Sequence, residues 1–197
     1  ADGHGGSAAS KLCESVVLSR IAEAAVDGSA DALSVAVSTV FNEVHTQMCA
    51  AGSEAGSAGS TLTVCALNAT RGELSSWNAG DSLAILVHDG GFQPLGESHR
   101  LEVSAAERER IQKWGATIGR LKSETSDEAV GPLRAYPGGL AVTRGVGDAD
   151  CPYVLPEPAR STMRTPEAGG ALVVCSDGVW DSLTMEAAAL VLLEGKY

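Results

Sequence analysis

The hydrophobic periodicity of the chain changes near residue 60, and this change constrains the fold more than any other feature. Apolar residues recur at helical spacing over residues 12–25, and again, mostly on one face, over residues 33–48. Beyond residue 60 the pattern is that of short strands separated by turn residues. These strands are expected at residues 61–67, 73–77 and 83–88. Two helices followed by an antiparallel meander are therefore predicted.

The middle of the chain predicts a further helix and a flap. Ser104 and Glu107 form the pattern of a capping box, in which a hydroxyl and a carboxylate three residues apart satisfy each other's helix-start amides. A helix should follow and reach about Trp114. Residues 119–138 have little periodicity and are expected to form an exposed flap, and the small residues at 51–59 are expected to form a loop.

The last third of the chain predicts two more strands and a final helix. Residues 140–143 and 171–175 are apolar and short, as core strands are. Thr184 can open a helix that continues through Leu193 and ends at Gly195. Because the strands come in blocks between helices rather than in βαβ alternation, we expect one α+β domain with antiparallel sheets over residues 1–197.

Composition narrows the classes of partner. The formal net charge of −11 argues against nucleic acid, whose phosphates need clustered Lys and Arg. No apolar run approaches the ~18 residues that a membrane span requires. The five cysteines are scattered and none has metal-finger spacing, which favours reduced thiols in an intracellular, and so a cytoplasmic, protein. Since the chain begins without Met, we interpret it as an internal segment of a longer protein.

Two short segments place carboxylates in turns, where they could bind a metal ion or take part in catalysis. Asp2, Gly3 and His4 offer a carboxylate, an accessible carbonyl and an imidazole before two more glycines, although Asp-Gly turns are common without any function. Asp177 follows the apolar residues 171–175, so it would be held rigidly at the end of a strand, where hard cations such as Mg²⁺ and Mn²⁺ find oxygen ligands. An ordinary strand-to-helix turn explains Asp177 equally well.

Three further segments look like backbone architecture rather than reactive sites. They are Gly59-Ser60-Thr61, Ala79-Gly80-Asp81-Ser82 and Thr143-Arg144-Gly145-Val146-Gly147-Asp148. In their order along the chain, these segments and the two acidic ones resemble the successive signatures of the PP2C-type (PPM) metal-dependent serine/threonine protein phosphatases. The resemblance covers nearly the whole chain.

The resemblance implies a fold and a reaction. The family fold is a sandwich of two antiparallel β-sheets flanked by helix pairs (α-β-β-α), here without the first and last strands of the family core. Members hydrolyse phosphoserine and phosphothreonine in proteins with two Mg²⁺ or Mn²⁺ ions. By motif, Asp2 would bridge the two ions, the Gly3 carbonyl would bind one of them and Asp177 the other. His4 would be the general acid.

The sequence also departs from the family pattern. An Arg that grips phosphate and a Glu-Asp pair precede Asp-Gly-His in the family, and a late Asp follows on a further strand, but these lie outside this chain. Leu83 replaces the Arg that follows Ala-Gly-Asp-Ser, and Ser98 replaces an Asp associated with a weaker third metal. The alternative is therefore a catalytically impaired pseudophosphatase that serves as a structural or regulatory module in a larger protein assembly.

Overall fold

In a computed structural model of the chain, residues 1–25, 27, 29–50, 57–123 and 128–195 are described. The strands are β1 (Asp2–His4), β2 (Gly59–Asn68), β3 (Glu73–Ala79), β4 (Leu83–His88), β5 (Gly91–Leu95), β6 (Thr117–Lys122), β7 (Ala129–Tyr136), β8 (Val146–Gly147), β9 (Ala159–Arg164) and β10 (Ala171–Cys175). The helices are α1 (Ala8–Ala24), α2 (Ala30–Cys49), α3 (Ala105–Trp114), α4 (Asp177–Trp180) and α5 (Met185–Gly195). Most of the predicted loop at residues 51–59 lies outside the described residues.

The first layer is the pair of helices α1 and α2, which pack on the outer face of a sheet. The side chain of Ser29 accepts a hydrogen bond from the backbone N–H of Ala32 at 3.1 Å and so caps α2. The apolar face predicted for α2 is buried. In α1, however, Leu18 is exposed, because the buried residues recur every four positions, at Ala9, Cys13, Val17 and Ile21.

Two antiparallel sheets form the middle layers. The first has the strand order β1-β2-β3-β9, with β8 also paired to the start of β2. The second has the order β10-β4-β5. Leu74 of the first sheet and Leu86 and Leu95 of the second belong to one buried cluster between the sheets. The opposite face of the second sheet packs on α5 through Ile85 and Val87. These layers confirm the predicted α+β sandwich.

Two local predictions were wrong. Residues 140–143 do not form a strand, because their pairing consists of isolated bridges, Arg100 with Val142 and Ala135 with Leu140. The capping box at α3 is only half made. Ser104 accepts from the backbone N–H of Glu107 at 3.3 Å, but the Glu107 carboxylate binds other side chains in the interior.

The described part of the predicted flap is a two-stranded antiparallel ribbon formed by β6 and β7. Most of its residues are exposed or half-buried, and Ala135 joins a small buried cluster with Leu101 and Ile111 of the α3 region. Pro132 and Arg134 of β7 line the acidic pocket that is described below. Residues 124–127 of the predicted flap lie outside the described residues.

Two expectations from composition can be compared with the structure. All five cysteines are free thiols, of which Cys13 and Cys151 are buried. No helix in the described part of the chain has the length and apolar character needed to cross a membrane.

A buried ionic network connects α3 to the segment that precedes β8. The Glu107 carboxylate accepts hydrogen bonds from Arg110 at 2.8 Å, from Arg144 at 2.9 Å and from the Thr143 hydroxyl at 2.5 Å. Burial would raise the pKa of Glu107, but the hydrogen bonds from Arg144, Arg110 and Thr143 outweigh it and lower the pKa to about 2. The network thus holds the chain just before β8 against the helix.

Replacing Glu107 with Gln should lower the free energy of unfolding at neutral pH by on the order of 3 kcal/mol, the value of a carboxyl pKa lowered from 4.5 to about 2. Because the folded-state pKa is the lower one, this stability is present above about pH 4.5 and is lost as the pH falls toward 2. Urea unfolding of both proteins across that range measures the effect.

The matched control is Glu109→Gln on the same helix. Glu109 is exposed and pairs with Lys113 at 2.7 Å, so this change should cost less than about 0.5 kcal/mol. Equal losses in the two variants, or a difference from wild type at Glu107 that does not shrink in acid, would contradict the network.

Candidate active site

An acidic pocket lies where β1, the β3–β4 turn and the start of α4 meet. Its volume is about 280 Å³. The residues that line it are Asp2, Gly3, His4, Thr61, Asp81, Arg100, Pro132, Arg134, Leu140, Ala141, Val142 and Asp177. The structure therefore brings all four predicted site residues, Asp2, Gly3, His4 and Asp177, to one cavity, although they come from opposite ends of the chain.

The side chains of Asp2 and Asp177 are neighbours in this cavity, since both line it and the charge of Asp2 acts on Asp177. Asp2 lies in β1, and Asp177 is the first residue of α4, directly after β10. Burial raises the pKa of Asp177, and the neighbouring Asp2 side chain with its charge raises it further, while Arg100 opposes the shift. Two carboxylates this close repel each other unless a proton or a cation lies between them.

The segments interpreted as architecture support the pocket wall. The Thr61 hydroxyl accepts a hydrogen bond from the backbone N–H of Asp2 at 3.1 Å and lies 2.7 Å from the Ser82 hydroxyl. Gly80 has a φ of 119°, and a Cβ there would lie 2.6 Å from the Thr61 side chain. Only glycine allows this turn to approach β2 so closely. The Gly-Ser-Thr and Ala-Gly-Asp-Ser segments therefore fix the position of Asp2 together.

Arg100 lies among three aspartates at the rim of the pocket. Its guanidinium pairs with Asp81 at 3.7 Å and Asp177 at 3.8 Å, and forms a two-pronged hydrogen bond with Asp181, of which one contact is 2.9 Å. The pKa of Asp81 is raised by burial and by the charge of Asp177, although Arg100 opposes this shift. Arg100 thus supplies part of the positive charge that the acidic cluster needs.

His4 has a buried carboxylate partner. Its Nε2 lies 2.7 Å from Oδ1 of Asp148, whose side chain is 2% exposed. The hydrogen bond to Asp148 raises the pKa of His4, the charges of Asp148, Asp81 and Asp2 raise it further, and burial opposes them. The imidazole is therefore biased toward its protonated form, which a proton donor requires.

The donor chemistry of the pocket fits hard divalent cations. Asp2, Asp81 and Asp177 line one cavity, and a cation bound among them would offset the repulsion between their carboxylates. Within the described residues, no three His, Cys, Asp or Glu side chains are arranged as a ready cage for an ion. Arg100 reaches three of the acidic side chains instead.

Sequence reasoning missed several residues of the site. Asp81 and Asp148 stand in segments that were interpreted as backbone, and each ends a glycine-containing turn beside a strand, which is the signal that could have identified them. Arg100 carries no such signal. His99 accepts a hydrogen bond from the Gly80 backbone N–H at 3.2 Å and so supports the turn before Asp81.

The two substituted positions have plain structural roles here. Ser98 accepts a hydrogen bond from the backbone N–H of Arg100 at 3.3 Å. Leu83 begins β4, and its carbonyl accepts a hydrogen bond from the indole of Trp180 at 3.2 Å. The same indole donates to the Cys175 carbonyl at 3.0 Å. Trp180 therefore links the end of β10 to the start of β4, next to Asp177.

Comparisons of sequence agree on one family. The family model described as Protein phosphatase 2C matches residues 1–192. The chain is 34% identical over 195 residues to probable protein phosphatase 2C 5 of Arabidopsis thaliana, which is 95% of this chain and 44% of the relative. It is 43% identical over 114 residues to probable protein phosphatase 2C 3 of Oryza sativa, which is 57% of this chain and 23% of the relative. The chain thus spans less than half the length of these curated relatives.

Solved structures agree on the fold. A serine-threonine phosphatase 2C from Toxoplasma gondii superimposes with a TM-score of 0.76 at 18% identity, covering 98% of this chain and 71% of that one. A C. elegans sex determining protein superimposes with a TM-score of 0.82 at 21% identity, covering 97% of this chain and 45% of that one.

Replacing Arg100 with Gln should destabilise the metal-free protein by on the order of 1–2 kcal/mol at neutral pH, because Asp81, Asp177 and Asp181 lose a shared counter-charge. As the pH falls, the loss should begin to diminish above about pH 4, because the pKa values of Asp81 and Asp177 are raised, and the share due to Asp181, whose pKa Arg100 lowers, should persist to more acidic pH. Denaturant unfolding at neutral and at acidic pH measures this change in the free energy of unfolding.

Arg160→Gln is the control, since Arg160 pairs at 2.9 Å only with the highly exposed Asp31 among the described carboxylates. If the Arg100 variant is no less stable than this control at neutral pH, the acidic cluster does not depend on Arg100 for its charge balance.

Proposed function

The chain belongs to the protein phosphatase 2C family, and from this premise we propose that it is part of an enzyme that hydrolyses phosphoserine and phosphothreonine in proteins. Family members are metal-dependent in general, and we propose two Mg²⁺ or Mn²⁺ ions for this protein. Because the chain spans less than half of its curated relatives, the activity is proposed for the full-length protein.

One observation carries the proposal: Asp2 and Asp177, from the two ends of the chain, line one cavity with His4, and burial together with the neighbouring Asp2 raises the pKa of Asp177. A carboxylate pair costs stability when both members are charged and no cation is near. A packing role would not require such a pair. Its presence beside an imidazole biased toward the protonated form supports a site for metal-assisted hydrolysis.

In this proposal Asp2, the Gly3 carbonyl and Asp177 hold the ions, and Asp81 adds a fourth oxygen donor group on the same cavity wall. Such ions, when bound, lower the pKa of a coordinated water and neutralise charge on phosphoryl oxygens. The hydrogen bond from the Asp2 backbone to Thr61 keeps β1 in position at the cavity wall. Binding of cations would also relieve the repulsion between Asp2 and Asp177.

His4 is proposed to act on the other side of the reaction. The oxygen of a departing serine or threonine is a strong base and needs a proton as the ester bond breaks. His4 lines the cavity and its pKa is raised by the hydrogen bond to Asp148 and by nearby carboxylates, so it can carry that proton near neutral pH. The substrate is then a phosphoprotein whose modified side chain reaches into the cavity beside the β6–β7 ribbon.

Replacing Asp177 with Asn in the full-length protein should lower Mn²⁺-dependent release of phosphate from a phosphoserine peptide by about 100-fold or more, because an amide is a poorer ligand for a hard cation than a carboxylate. The domain should remain folded, since Asp177 is half-exposed. Steady-state phosphate release and thermal unfolding, measured on the same samples, separate activity from stability.

The matched control is Glu186→Gln, which removes the same charge from an exposed position at the start of α5, outside the cavity. Its activity should equal that of wild type. A folded Asp177→Asn protein with full activity would refute the assignment of Asp177. An inactive, correctly folded wild type with Mn²⁺ would refute the proposed reaction.

A second candidate function is that of a pseudophosphatase module in a larger protein assembly. Arg100 favours it, because this cation already pairs with Asp81, Asp177 and Asp181. Leu83 and Ser98 depart from the family pattern at two motifs and favour it as well. Carboxylates in the flanking sequence of the full-length protein would support the enzyme, and their loss would support the module. The free cysteines support an intracellular, and so a cytoplasmic, location for either.

A further inference from the structure

The contact between His4 and Asp148 joins residues that are 144 positions apart. Nε2 of His4 lies 2.7 Å from Oδ1 of Asp148, within the range of a charge-assisted hydrogen bond. The Asp148 side chain is 2% exposed, whereas that of His4 is 31% exposed and borders the acidic cavity. The carboxylate therefore lies behind the imidazole, on the side away from solvent.

The backbone around Asp148 is shaped to place this carboxylate. Asp148 has a φ of 58°, a left-handed conformation that is uncommon for residues with a Cβ. Its N–H donates to the Ala58 carbonyl at 3.1 Å, and its own carbonyl accepts from Cys151 N–H at 2.8 Å. Local strain that is held by such contacts is typical of functional positions.

Gly59 provides the space for the carboxylate. A Cβ at Gly59 would lie 2.1 Å from Oδ2 of Asp148, so any other residue there would displace it. Oδ2 is buried and has no hydrogen-bond partner among the described residues. A buried carboxylate with so few partners is costly, and His4 is the side chain that compensates it.

From this geometry, and resting on the proposed function, we propose that Asp148 is a positioning residue that orients the His4 imidazole for proton donation. By accepting a hydrogen bond from Nε2–H, it fixes the rotation of the ring and its tautomer. Nδ1 is then the ring nitrogen left to serve a substrate in the cavity. The Gly-Val-Gly-Asp segment, interpreted from the sequence as architecture, thereby acquires a part in the reaction.

The proton balance is simple. The oxygen of a water molecule forms a new bond to phosphorus while the bond from phosphorus to the serine oxygen breaks, leaving its electron pair on that oxygen. The proton on Nδ1 of His4 moves to the serine oxygen, and the attacking water loses a proton to solvent. His4 then regains a proton from solvent, so one water and one phosphoserine ester yield phosphate and serine.

The test is a double-mutant cycle in the full-length protein with Mn²⁺, in which Asp148→Asn and His4→Gln are made singly and together. With a phosphoserine peptide, Asp148→Asn should lower kcat about 10- to 100-fold and change KM little. With p-nitrophenyl phosphate, whose leaving group needs no proton, the loss should be smaller. When His4 is already Gln, adding Asp148→Asn should lower kcat no further.

Asn is suited to the left-handed backbone of this position, and Asp148→Gly, which tolerates it better still, is a second variant if the first fails to fold. Asp150→Asn is the control, since Asp150 is exposed on the same turn and its described partner is the Cys151 thiol rather than His4. Its kinetics should match wild type. Losses that multiply in the double variant, or that are equal for the two substrates, would overturn the inference.

A spectroscopic measurement keeps the inference testable without turnover. In metal-free protein carrying ¹⁵N-labelled histidine, the Nε2–H of His4 should give a downfield, slowly exchanging proton signal. The signal should vanish in His4→Gln, which lacks the donor, and in Asp148→Gly, which lacks the acceptor, and persist in Asp150→Asn. Its absence from wild type would overturn the inference whatever the activity. A wild type that shows the signal yet hydrolyses neither substrate would refute the proposed function and leave the pairing of His4 with Asp148 supported.

Discussion

The pocket depends on the pairing of β1 and β8 with the first residues of β2. On one edge of β2, Asp2 pairs with Thr61 and His4 with Gly59. On the other edge, Gly59 pairs with Gly147, the residue before Asp148. Three backbones therefore meet at Gly59, where a side chain would collide with the Asp148 carboxylate. This meeting converts segments that are far apart in sequence into one site.

Electrostatics then limit what the assembled site can do. Two unit charges about 4 Å apart interact by about 4 kcal/mol at an effective dielectric constant of 20, which is a large part of the stability of a domain. Asp2, Asp81 and Asp177 face one cavity, so they must share protons, pair with Arg100 or bind cations. Burial is the first cause of the raised pKa values of Asp81 and Asp177, and the charge of a neighbouring aspartate raises each of them further. A site that bound no positive charge would gain nothing from such a cluster.

The sequence predicted the parts that follow from local chemistry. Helical spacing identified the buried face of α2, and Ser104 marked the start of α3. The sequence could not predict which groups bind the Glu107 carboxylate, because Arg144 and Thr143 approach this carboxylate only in the folded chain. Apolar content alone also suggested a strand at residues 140–143, where the structure offers only isolated bridging partners.

The site was predictable in the same uneven way. Metal binding and proton transfer could be inferred from the motifs that contain Asp2, Gly3, His4 and Asp177. The structure brings these residues to one cavity. The partner of His4 could not be predicted from the sequence, because Asp148 lies just after β8, and its position depends on a left-handed backbone and on the missing Cβ at Gly59. Pairing across a sheet edge carries little sequence signature beyond the glycines that permit it.

The central claim is that this acidic cavity binds divalent cations. The most direct measurement is a calorimetric titration of the metal-free full-length protein with Mn²⁺, beside Asp2→Asn, with thermal unfolding to verify that both are folded. The account predicts that wild type binds about two ions and that binding is lost or strongly weakened in the variant. A folded wild type that binds no Mn²⁺ would contradict the account and would indicate that the fold serves contacts rather than catalysis.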